Sequence, residues 1–101
     1  MKATELDYSK VKQQINLIDG TFTTSEATDI IKSVLDIKIN FHKLHRLSVT
    51  EGDNSNKCIY DSSRIDELMN EREIAKNFFE QAKFQGKKLK MNSIIYISLE
   101  D

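Results

Sequence analysis

No proline and no tryptophan occur in the 101 residues, and there are only 3 glycines and 1 cysteine. So few breakers mean long uninterrupted elements. A lone Cys58 excludes an internal disulfide. Small secreted domains usually carry several bridges, so the reducing cytoplasm is the expected location. No apolar run approaches the roughly 18 residues that cross a bilayer, so no membrane role is expected. The opening stretch, Met1-Lys2-Ala3-Thr4-Glu5-Leu6-Asp7, lacks the apolar segment of a secretory signal. An excess of either charge is missing too. The 15 basic and 16 acidic residues leave a net charge of −1. That balance argues against disorder by charge repulsion. It also removes the simplest case for a nucleic-acid binder.

What is present suits one domain. Hydrophobic residues make up 39% of the chain and charged residues 31%, enough for a packed core under a well-solvated surface. Residues 1–101 read as a single domain, too short for two, with 1–9 as a polar lead-in. There is no internal repeat or low-complexity tract.

Residues 11–18, Val-Lys-Gln-Gln-Ile-Asn-Leu-Ile, fit two periods. As a strand, Val11, Ile15 and Leu17 share one face. As a helix, Val11, Ile15 and Ile18 align at i, i+4, i+7. Asp19-Gly20 ends the segment. Thr23 and Glu26 then form a capping box, with Phe22 as its hydrophobic staple. Beyond it Ile30, Val34, Ile37, Phe41 and Leu44 recur at helical spacing, widened by Ile31 and Leu35, which predicts an amphipathic helix over roughly 24–46. Residues 47–60 read as a flexible loop around the turn-rich 51–56 stretch.

Asp61, Ser62 and Ser63 offer N-caps for a second helix at about 63–85. Asp66 and Glu67 suit the positive end of its dipole, and Lys83, Lys87 and Lys88 suit the other. Ile65, Leu68, Met69, Ala75, Phe78, Phe79 and Ala82 supply its apolar face. Gly86 fits the left-handed residue that closes a helix. From Leu89 to Leu99 the chain alternates like a strand, and Ile94, Ile95, Tyr96 and Ile97 are apolar or aromatic on both faces.

A lone strand leaves its backbone groups unpaired, and its best partner is 11–18. Lengths agree. A 23-residue helix spans about 34 Å, and an 11-residue strand about 36 Å. The expected fold is α+β: an antiparallel helical hairpin packed on a two-stranded antiparallel ribbon, in the order βααβ.

Three stretches of the chain, Ile15 to Thr23, Ile37 to His42 and Leu89 to Ile95, resemble those of small uncharacterised bacterial proteins of about this length. The resemblance covers most of residues 11–99. It implies no activity and transfers no site residues.

Several clusters invite a chemical reading, each with a plainer one beside it. Asp19 to Glu26 is similar to the second half of an EF-hand loop. The loop would begin at Ile15 and put Leu17 at its third position, where calcium needs oxygen donors. A turn plus a capping box explains the same residues. His42 and His45 stand at i, i+3, and Cys58, Glu51 or Asp53 are the candidates to complete a zinc site. The alternative is two histidines flanking the apolar stripe near a helix end. Cys58 as a nucleophile needs an electropositive setting, for which Lys57 alone is thin support. Lys83, Lys87, Lys88 and Lys90 form the only dense basic cluster. With only Phe84 interleaved and no arginine, it lacks a stacking platform. No cofactor, metal or catalytic set is therefore assigned, and the chain is expected not to be an enzyme.

A two-stranded ribbon is marginal alone and its edges are open. Ile94, Ile95, Tyr96 and Ile97 are the expected interaction residues, and a second copy or another protein is the expected partner. The alternative is a monomer covered by its own helices and the 47–60 loop. A weak nucleic-acid binder working through the lysines near 83–90 is the second functional expectation.

Overall fold

The computed structural model describes the backbone of residues 7–51 and 58–100. After a single 3-10 turn at Tyr8–Lys10 come β1 (Val11–Phe22), α1 (Thr24–Glu51), α2 (Cys58–Phe84) and β2 (Leu89–Ser98). The two strands pair with each other as an antiparallel sheet and the two helices pack together, which is the βααβ order. The chain divides into two compact units, Met1–Thr21 with Lys90–Asp101, and Phe22–Leu89.

In the ribbon, residues 11–18 are strand, and β1 continues through Asp19-Gly20 to Phe22. The expected turn there does not form. Among the described glycines only Gly86 has a positive φ, so Gly20 stays extended and Thr21 and Phe22, both good strand formers, carry the ladder on. Asp7 accepts hydrogen bonds from the Ser9 amide and hydroxyl, which shapes the 3-10 turn. Tyr8 then meets Tyr96 edge-to-face, with centroids 5.0 Å apart.

The helical unit begins at the capping box. The Thr23 amide donates to Glu26 Oε1 at 2.9 Å, and the Glu26 amide donates to Thr23 Oγ1 at 3.1 Å. It ends at Gly86, whose φ is +68°. The Lys87 amide reaches the Ala82 carbonyl and the Gly86 amide the Lys83 carbonyl, each at 3.0 Å. Those two bonds are a Schellman motif.

Between these ends the helices are longer than expected. α1 runs on through residues 47–51, and α2 starts at Cys58 rather than near 63. The expected flexible loop at 47–60 therefore shrinks, and its remainder, 52–57, lies outside the described residues. No glycine or proline interrupts either extension. Arg46 Nη1 donates to Ser62 Oγ at 3.2 Å, and Cys58 Sγ donates to the Arg46 carbonyl at 3.8 Å, tying the two ends together.

Of the expected apolar face of α1, Ile30, Ile31 and Leu35 are half-buried, and the rest is not. Val34, Ile37, Phe41 and Leu44 are exposed, Ile37 by 73%. The buried or half-buried side is Thr28, Ile31, Leu35, Ile39, His42 and Arg46. It meets Asp61, Ile65, Leu68, Arg72, Ala75, Phe79 and Ala82 of α2, which recur at intervals of four and three like a coiled-coil seam. Met69 and Phe78 fall outside that seam and are exposed. Ile39, Ile65 and Leu68 form the core, with Leu35 packed against it. α1 carries apolar residues on two adjacent sides, and the seam of α2 selects one. Away from the connection a groove of 640 Å³ opens between Thr28, Ile31 and Lys32 of α1 and Ala75, Phe79 and Lys83 of α2.

Candidate functional site

His42 and His45 lie one turn apart on α1, so both rings project toward the start of α2. There Asp61 sits in the first helical turn, only 1% exposed. His42 Nδ1 is 2.9 Å from Asp61 Oδ1, and His45 Nδ1 is 2.6 Å from Oδ2. One carboxylate thus bridges two imidazoles from the opposite helix. Hydrogen bonding by His42, and next by His45, holds the Asp61 carboxyl below the usual carboxylate range, against the opposing push of burial. An ionised carboxylate only accepts, so both Nδ1 atoms carry hydrogen and donate. Aromatic rings wall the cluster. Phe41 stacks on His45 at 6.1 Å and meets His42 edge-on at 5.2 Å, and Tyr60 meets His42 at 5.9 Å. Lys38 Nζ stands 4.8 Å above the Phe41 ring.

His42 is 2% exposed, and its Nε2 is buried with no hydrogen-bond partner among the described residues. An unsatisfied buried polar atom costs about 1–3 kcal/mol.

The zinc reading therefore takes another form. His42 and His45 do come together, but around Asp61, one of the three N-cap candidates of the second helix. Among the described residues no group of three or more His, Cys, Asp or Glu has metal-holding geometry. Cys58 is half-buried at the start of α2 and points to the Arg46 carbonyl. Glu51 and Asp53 lie where no side chain is described. The dipole rationale for the histidines also falls away, since α1 continues to Glu51 and places them more than one turn from its end. The EF-hand-like stretch is split between the end of β1 and the capping box, and the Thr23 amide, followed by its hydroxyl and Lys88, holds Glu26 below its ordinary range.

The ribbon carries the second cluster. Ile94, Ile95 and Ile97 are between 37 and 41% exposed, and Ile15 and Leu17 of β1 are exposed as well. Ile95 and Ile97 point to one side and Ile94 to the other, so both faces are apolar. Tyr96 is half-buried beneath Tyr8. With two strands in the sheet, each keeps one edge with no strand beside it among the described residues.

Lys83, Lys87, Lys88 and Lys90 are all exposed around the end of α2 and the start of β2. No helix among the described residues is long and apolar enough to cross a membrane. No family model, curated protein or solved structure matches the chain.

Proposed function

We propose that this protein is a non-enzymatic association module, cytoplasmic and bacterial, whose partner is a second copy of itself. The observation that carries the reading is the run Ile94, Ile95, Tyr96 and Ile97. It sits on an edge strand, and its three isoleucines are exposed on two faces. Bare, sticky edges recruit further strands, and natural proteins seldom leave them uncovered. A third or fourth strand also turns a marginal ribbon into a stable sheet. The His42–Asp61–His45 cluster fits the same reading as a structural pin, since both Asp61 oxygens and both Nδ1 atoms are spent on holding α1 to α2.

Light scattering after gel filtration tests this at high micromolar concentration. A dimer is expected, and a single monomeric species overturns the reading. Ile97→Lys shifts the dimer toward monomer while helical content, read by circular dichroism, holds.

A second reading draws on the exposed Lys83, Lys87, Lys88 and Lys90, none of which has an ion pair with the described residues. Four exposed cations attract phosphates. In that case Lys87→Glu with Lys88→Glu abolishes binding to DNA or RNA in a low-salt titration, and a flat wild-type titration ends the idea.

A further inference from the structure

We propose that the second copy docks on the free edge of β2, antiparallel, about a two-fold axis that passes through Ile95. This rests on the association proposed above and assigns it one edge and one register. A two-fold perpendicular to a sheet sets opposed residues on the same face, since side chains alternate along each strand. Only axes through a residue satisfy that condition.

With the axis at Ile95, and the pairing carried two residues past Ser98, where β2 ends, Lys90 of one copy stands opposite Glu100 of the other, twice per dimer. Met91 meets Leu99, Asn92 meets Ser98, Ile94 meets Tyr96, and Ile95 meets itself. Each pair but Ser93 with Ile97 matches in kind, and opposed pairs of that sort each stabilise a sheet. Moving the axis to Ile94 sets Lys90 against Ser98 and Asn92 against Tyr96. Moving it to Tyr96 sets Glu100 against Asn92. Only the Ile95 axis joins the two opposite charges. Both are exposed, and neither has a hydrogen bond or ion pair with the described residues of its own chain.

β1 is the poorer edge. Lys12, Gln13, Gln14, Asn16 and Asp19 punctuate it, and such residues blunt an edge against pairing. With the axis at Ile15 or Asn16, Gln13 stands against Leu17, or an asparagine against itself. The result is a four-stranded sheet, β1-β2-β2-β1, with the polar strands outermost.

Sedimentation equilibrium at low ionic strength tests the register through charge reversal. Lys90→Glu and Glu100→Lys each replace two attractive pairs with two repulsive ones and weaken the dimer about tenfold. The double variant Lys90→Glu with Glu100→Lys restores wild-type affinity. Ile95→Lys, which sets two ammonium groups on the axis, gives monomer, with circular dichroism as the check on folding. A wild-type dimer indifferent to the single reversals, or a double variant no tighter than the singles, overturns the register and leaves association standing. A monomeric wild type overturns both.

Discussion

Asp61 is the residue on which the helical unit turns. Its neighbours in phase along α2 are Ile65, Leu68 and Ala82, all buried, so a carboxylate occupies a position where the spacing asks for an apolar side chain. His42 and His45 make that tolerable by supplying one donor to each oxygen. Leaving one partner of such a pair alone is costly because the survivor stays buried. Asp61→Asn is expected to lower Tm by roughly 10 °C. It also changes the acid limb of stability. A carboxyl held below its ordinary value contributes fully above that value, 3.8 for aspartate. The contribution is lost as pH falls through the lowered folded value. Urea titrations between pH 2 and 5 are therefore steeper in pH for the wild type than for Asp61→Asn; parallel profiles contradict an ionised carboxylate held by the two imidazoles. His42→Ala costs more than His45→Ala by the same measurement, because His42 is buried and half of His45 is in water.

At the scale of elements, the ends of the helical unit are local chemistry and were legible as such. Thr23 with Glu26 and Gly86 each announce a backbone requirement within a few residues of themselves. Thr23→Ala removes the acceptor of the Glu26 amide and costs about 1 kcal/mol. Gly86→Ala costs about 1–2 kcal/mol in thermal unfolding. That loss is purely conformational, since an added Cβ meets nothing within 4 Å. The lengths of the inner helix ends were not legible, because nothing in 47–51 or 58–62 forces a stop or a start. Nor was the buried side of α1. Leu35 and Ile39 lie beside the exposed stripe, and the choice is made by Ile65 and Leu68, far downstream on the second helix. The polar pin left one trace that sequence reading passed over: Asp61 and His42 each sit in phase with the apolar residues that follow or precede them.

At the scale of the whole molecule, two apolar surfaces compete to explain association. One is the exposed stripe of Val34, Ile37, Phe41 and Leu44 on α1. The other is β2, where unpaired backbone groups add directed hydrogen bonds to apolar contact. The ribbon reading expects Ile37→Lys with Phe41→Lys to leave the dimer intact by light scattering, whereas Ile97→Lys dissolves it. The reverse pattern moves the interface to the helices. Pairing of the two strands was legible because each is the other's best available mate in a chain with no third candidate.

The strands that pair, Val11–Phe22 and Leu89–Ser98, lie at opposite ends of the chain with both helices between them. Closing so large a loop is slow until something shortens it, and contacts within the hairpin form from nearer neighbours. Refolding should then run in sequence, with the far-ultraviolet helical signal recovering first and the Tyr8–Tyr96 environment last. Substitutions along the ribbon act on the lifetime of the native state more than on the speed of reaching it.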